Sequence, residues 1–367
     1  MNAMIERLTL EELAQTLVQQ SEVKQDYLVD STRMVMEAYG GTPVLRVLDY
    51  SGGDCMEPLE LTSTAHKQLG AYLKIPASYY DRMLREATDL LTTNVNNWLN
   101  RTAEVKLLRT MDGTARAVLS NRYWCVDHLN LLQMVIPVLG HMPGISVLDC
   151  GLSETRMYVK VTSERLKEDV VPGDTVQYGL IITNSEVGMG AITIQPYLYR
   201  LVCSNGMVSG ERIGDGTRRI HKGCTMELNG PMQVYHPPEL TLRDKFAEQF
   251  QNSVKMAAEE SKFGEILDMM RRAAQANIET EELPGLLKLV GTAVGIREPE
   301  QQHVLSHLLE VGDMTLYGLA NAVTRYAQDV DSYDRAIQLE SAGYDLIAMP
   351  LRQWNHFNQA AALQAAA

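Results

Sequence analysis

The sequence predicts an α+β fold: an antiparallel sheet covered by helices on one side, followed by an all-helical C-terminal region. Three observations carry this. Between residues 105 and 208, apolar residues recur with a period of two in paired runs separated by tight-turn residues, the pattern of half-buried strands. Beyond about residue 241 the apolar period becomes helical. Between these two regimes stands Tyr235-His236-Pro237-Pro238-Glu239, where two prolines stiffen the chain and stop any helix from crossing. The implied organisation is a core domain over 1–235, a helical domain over 240–350 and a frayed tail over 351–367, rich in Ala and Gln.

Each element has its own reason. Thr9 to about Gln25 is an amphipathic helix, with Leu10, Leu13, Leu17 and Val18 on one face and Glu11 and Glu12 in the first turn, where the macrodipole favours acids. Arg33–Ala38 and Val44–Asp49 are short strands split by Gly40-Gly41. Thr62 to Leu73 is a helix capped by Thr62 or Ser63. Pro76 opens a second helix, Ala77 to Leu91, which continues through Asn94–Leu99 and presents Trp98 to the core. Val105–Thr110 and Ala115–Ser120 flank Asp112-Gly113, a hairpin signal. Asp127 caps a helix over His128–Leu139. Ile145–Cys150 and Arg156–Thr162 pair. In the second of these, Met157, Val159 and Val161 alternate with Tyr158, Lys160 and Thr162, as in a sheet with one exposed face. Two further strands end at Ile181-Ile182-Thr183 and run from Ala191 through Cys203. The remaining helices fall at about 241–276, 280–294, 298–310, 315–330 and 332–348, the first opened by a capping-box-like Thr241 with Asp244.

Composition limits the function. The chain has 367 residues and a formal net charge of −13, with 45% apolar and 22% charged residues, which is ordinary for a globular protein. No apolar run reaches the roughly 18 residues of a membrane span, and the N-terminus lacks the apolar core of a signal peptide; the expected location is the bacterial cytoplasm. Five dispersed cysteines without a CxxC pair argue for free packed thiols, not a disulfide framework or zinc site. Residues 1–110 carry a net charge of −4, 111–235 of −1 and 236–367 of −8. An acidic chain binds nucleic acid only if it sorts its cations onto one surface, and the middle third opposes that sorting least.

No enzyme motif stands out. His303 and His307 are four apart, but Val304 occupies the place where the zinc-protease pattern requires Glu. There is no GxxxxGK[ST], GxGxxG or GxSxG. Cys203 has no histidine partner in the sequence pattern and reads as packing. No cofactor and no metal are expected. Asn184, Ser185, Arg200 and Asn205 lie inside the most apolar span and read as a structural polar network, because a buried polar group without a partner costs about 1–3 kcal/mol. Arg116, Arg122 and Tyr123 follow one hairpin, Lys160 lies on the exposed face of another, and Arg218, Arg219 and Lys222 sit in the densest basic loop. Such a set would track a phosphate backbone, with Tyr123 stacking a base. The competing reading is an ordinarily charged sheet surface, with Tyr123 and Trp124 in the core.

Several stretches resemble the phage- and plasmid-like proteins of unknown function found in bacteriophages, prophages and mobile elements. They are Ile75–Met83 (IPASYYDRM), Asn94–Trp98 (NVNNW), Arg116–Tyr123, Thr183–Gly188 (TNSEVG), Arg200–Gly206 (RLVCSNG), Thr315–Ala322 (TLYGLANA) and Leu339-Glu340. The resemblance spans about residues 60–345. It implies a mobile-element setting and a core similar to single-strand annealing proteins. The expectation is therefore a non-enzymatic, oligomeric protein that binds single-stranded DNA and promotes annealing. The alternative is a protein-interaction module, such as an inhibitor of a host defence complex or a phage assembly component, whose acidic helical region suits a basic partner.

Overall fold

The structure is a computed structural model that describes residues 7–209, 218–219, 221, 225–235, 247–252, 254–255 and 260–365. The N-terminal part holds β1 (Arg7–Leu8), α1 (Leu10–Val23), β2 (Lys24–Asp30), β3 (Met34–Tyr39), β4 (Thr42–Val47) and β5 (Leu59–Leu61), then α2 (Ser63–Tyr72), α3 (Ala77–Glu86) and α4 (Thr88–Leu99). The middle part runs β6 (Val105–Met111), β7 (Thr114–Ser120), α5 (His128–His141), β8 (Ile145–Leu152), β9 (Met157–Val171), β10 (Asp174–Asn184), β11 (Ile192–Arg200) and β12 (Asn205–Val208). Two short strands follow, β13 (Arg218–Arg219) and β14 (Met232–Val234). The last region is helical: α6 (Glu260–Ala274), α7 (Leu283–Val294), α8 (Glu298–Val311), α9 (Leu316–Tyr326), α10 (Tyr333–Ile347) and α11 (Leu351–Ala365).

The fold is α+β with a helical C-terminal region, but the strands form two sheets, not one. The first has the order β1-β8-β9-β10-β11-β12, with β13 also paired to β11; the second has the order β14-β2-β6-β7-β5-β4-β3. Among the described strands, neighbours are antiparallel except β5 and β7. The hairpin between β6 and β7 turns at Asp112 (φ 47°) and Gly113 (φ 71°). Two successive positive φ values fit the twist of the flanking strands, and Asp and Gly tolerate them best.

Each sheet has its own core. In the second sheet, Val29, Met36, Leu45 and Leu108 pack under Leu69 of α2, Met83 of α3 and Val95 of α4. In the first, Val159, Leu180, Ile182 and Ile194 share one cluster with Leu17 of α1, Leu131 of α5 and the C-terminal helices. The cores thus divide the chain elsewhere than at residue 235, because the helical region completes the first sheet's core. Tyr235 itself is buried, and its N–H donates to Asp26 O.

Several local expectations are corrected. The helix read across 77–99 breaks at Ala87 (φ −154°, ψ 67°), and Trp98 is 41% exposed, because Val95 and Leu99 fill the core-facing positions. Strand β9 buries both faces over Met157–Ser163, since α10 covers the side that alternation assigned to solvent. The tail is no frayed end: Trp354 and Ala361 of α11 are buried, and the Trp354 indole N–H donates to Asn277 O at 3.1 Å. Thr241, Asp244 and the prolines at 237–238 lie outside the described residues.

Candidate functional site

Strand β10 ends at Asn184, and residues 185–190 carry the chain to β11 where the two sheets meet. A loop here must satisfy its carbonyls away from any ladder. Four of them find side-chain donors from four different segments. Tyr123 donates to Ser185 O at 2.8 Å and Arg109 of β6 to Glu186 O at 2.8 Å. Gln68 of α2 donates to Val187 O at 2.6 Å, and Arg156 to Met189 O at 2.5 Å. Ser185 Oγ closes the loop by accepting from the Met189 N–H at 2.9 Å.

Glu186 is the hub. Its carboxylate is 1% exposed and accepts from Lys24 Nζ at 2.8 Å, Arg116 Nη1 at 3.0 Å and the His128 backbone N–H at 2.7 Å. Burial opposes its charge, yet His128, Lys24, Arg109 and Arg116 hold its carboxyl well below the usual range. The N-terminus of α5 is thus capped by Glu186 and not by Asp127, whose side chain makes no cap bond and instead accepts from Arg109 Nη2 at 2.6 Å. Arg109, 1% exposed, also binds Asp26. Burial pushes the His128 imidazole down to about 4, and its Nδ1 accepts from the Asn184 amide at 3.0 Å. Asn184 also donates to Val126 O, and its Oδ1 faces His221 Nε2 at 3.1 Å.

These contacts decide where the sequence-predicted nucleic-acid residues stand. Arg116 is 8% exposed and ion-paired with Glu186 at 3.0 Å, so its charge is buried out of reach of a phosphate. Lys160 is 5% exposed and paired with Glu340 at 2.8 Å between the rings of Tyr197 and Tyr333. Tyr123 is mostly covered, its ring already stacked on His221 with centroids 4.9 Å apart, so it is not open to a base. These three are corrected from surface contacts to internal supports. Arg122 is exposed and touches Thr225 Oγ1 at 2.9 Å. The backbones of Arg218 and Arg219 pair with Thr193 and Ile192 at the start of β11. Lys222 lies outside the described residues. Of these segments, that of Arg156 and that of Arg122, through Tyr123, contact the 185–190 loop, and the backbone of Arg218 and Arg219 lies beside the start of β11. Arg156, Lys24, Arg109 and Glu186 were missed in the sequence. A cation inside the apolar run Val105–Met111 was the available signal for Arg109.

The other two polar residues of the central span lie at the far end of β11. Arg200 donates to Asp174 Oδ1 at 2.6 Å and to Cys203 Sγ at 3.2 Å, and the Tyr317 hydroxyl donates to Asp174 Oδ2 at 3.0 Å. Asn205 donates to Thr324 Oγ1 at 2.5 Å. The RLVCSNG and TLYGLANA stretches, more than 100 residues apart, thus meet around one cavity of about 350 Å³. His307 reaches its rim and pairs with Asp329 at 3.0 Å, while His303 stacks on Tyr326. Among the described residues no group of three or more His, Cys, Asp or Glu is placed to hold a metal, and no helix is long and apolar enough to cross a membrane.

The family model of DUF932, a domain of unknown function, matches residues 115–346, which is more than half of the chain. No curated protein and no solved structure matches it.

Proposed function

This chain belongs to the DUF932 family, and from that premise we propose that it is a phage or mobile-element protein that binds single-stranded DNA without chemistry and promotes annealing as an oligomer. The observation that supports the reading is that Arg156 binds the loop joining β10 to β11, that Arg122 is exposed next to Tyr123, which also binds it, and that the backbone of Arg218 and Arg219 runs beside the start of β11. Cations gathered at one edge give a backbone-tracking surface to a chain whose net charge is −13. The set is smaller than the sequence suggests, because Arg116 and Lys160 spend their charge inside. Such a surface binds strands with little regard to sequence, and its affinity depends on salt.

The test is fluorescence anisotropy of a labelled oligonucleotide against salt. Four phosphate contacts give a slope of log K on log salt of about −3, and removing two cations lowers its magnitude by about 1.4. Arg122→Gln with Arg218→Gln is the matching variant. No binding at low salt, or a slope unchanged in the double variant, sinks the proposal.

A second reading is a protein-interaction module, such as an inhibitor of a host defence complex. It draws on exposed acids of the helical region, among them Glu298, Glu310, Asp329 and Asp331, and on exposed Leu309 and Val311. A defined complex with a basic protein that forms without DNA and survives nuclease favours it.

A further inference from the structure

We propose that the cavity between the β11–β12 turn and α9 binds one nucleobase, reading its edge with the Asn205 and Asn321 side chains. The inference stands apart from the strand-binding surface, which lies at the opposite end of β11. Asn205 is 2% exposed and lines the cavity, and its Oδ1 has no hydrogen-bond partner among the described residues although its Nδ2 is bound to Thr324. Asn321, 6% exposed, lies beside the Tyr317 phenol, and among the described residues neither of its amide atoms makes a well-formed bond. A buried acceptor left unpaired is destabilising, so the wall is built for a donor that arrives from outside.

The remaining lining narrows the class. Arg200 is neutralised by Asp174 and Arg325 by Asp329, while Glu310 and Asp313 add negative charge, so nothing favours a phosphate or another anion. Val311, Ala322 and Gly318 supply smooth apolar wall. At Gly318 a Cβ would come within 1.9 Å of Asp313 O, so glycine lets these two lining segments pack closely. A flat heterocycle with apolar faces and an edge that both donates and accepts fits these surfaces. The volume of about 350 Å³ lies at the small end of the range for ligand pockets. The base can come from a free nucleoside or from a strand with one base unstacked, and the chemistry is the same.

Cys203 reports occupancy. It lines the cavity and is partly exposed, whereas Cys125 and Cys150 are buried, and Cys55, partly exposed elsewhere, is the internal control. Iodoacetamide labelling of the full chain is followed by peptide mass spectrometry, with each of the four nucleosides, with an oligothymidylate or with glutamine. At about five times Kd, an occupant slows Cys203 labelling about sixfold and leaves Cys55 unchanged. Asn205→Leu removes the reading atom. Val311→Trp blocks the mouth from a position that is 60% exposed and leaves the buried network intact. Protection by a nucleoside, lost in both variants, supports the proposal with a free ligand. Protection by the oligonucleotide alone, lost in both variants, supports it with a strand-borne base. No protection by either, protection that persists in Val311→Trp, or protection by glutamine in place of nucleosides overturns it. Loss of the anisotropy signal in the Arg122 and Arg218 variant with Cys203 protection by nucleosides intact separates this cavity from the strand surface.

Discussion

Replacing Glu186 with Gln keeps the shape of the hub and removes its charge. The carboxylate holds Lys24 and Arg116, whose side chains are 8% and 9% exposed, and the first N–H of α5. Gln can still accept at one oxygen, but its amide N–H₂ group then faces one of the two cationic donors. Two charge-assisted bonds, each worth about 1.5–3 kcal/mol, are lost or weakened, and two cations stay buried without a counter-charge. The cost is about 3–5 kcal/mol, the range found when one partner of a buried pair is removed. With a urea m-value of about 3 kcal/mol/M, the unfolding midpoint falls by about 1–1.5 M. Glu86→Gln is the control. It breaks the Arg82–Glu86 pair, whose side chains are 71% and 56% exposed, and costs at most about 0.5 kcal/mol. Arg116→Met added to Glu186→Gln recovers part of the loss, because the unpaired cation goes with it. A midpoint for Glu186→Gln within about 0.3 M of the control refutes the reasoning.

Two further outcomes follow from burial. His66 and His128 are each pushed by burial from 6.5 down to about 4, so the folded chain keeps them neutral and the unfolded chain binds more protons between those values. Their contribution, about 3 kcal/mol each, is full above pH 6.5 and is lost as pH falls towards 4; a urea midpoint that does not drop between pH 7 and 5, or a drop unchanged by His128→Gln, contradicts this. Trp354→Ala removes a side chain that is 1% exposed and should cost about 3–5 kcal/mol; a stability change under about 1 kcal/mol, or rapid proteolysis within 351–365 of the unaltered chain, would return that segment to a frayed tail.

What the sequence made legible was local. Asp112-Gly113 announced its hairpin because both residues tolerate positive φ, and the C-terminal helices declared themselves by apolar spacing. Sheet membership was hidden, since it depends on distant pairings such as β2 with β6. The same limit misplaced Lys160. Its alternation with Val159 and Val161 is that of a half-exposed strand, yet Glu340, 180 residues later, lies on the helix that covers that face. Residue type points Trp98 to the core, whereas helical phase gives those positions to Val95 and Leu99. The sequence hides Glu186, because an acid in a polar loop looks solvated until the cations of β2 and β7 are placed around it.

The two sheets have separate apolar cores, so their relative placement cannot come from hydrophobic burial alone, which has no direction. The 185–190 loop supplies direction. Arg109, Arg116 and Lys24 reach it from the second sheet, Arg156 from the first, and His128 from α5. Ion pairs of this kind add little net stability over apolar packing, but a slipped register would strand a buried charge at several kcal/mol. Arg156 binds the same loop directly, and the backbone of Arg218 and Arg219 pairs with β11 just after it. Fixing the joint therefore fixes the spacing of the cations proposed to meet the strand. On this argument Glu186→Gln, assayed where the protein is still folded, weakens oligonucleotide binding although Glu186 touches no phosphate. Arg116→Met with Glu186→Gln restores stability more than binding, because the apolar replacement removes the buried charge without rebuilding the directional contact.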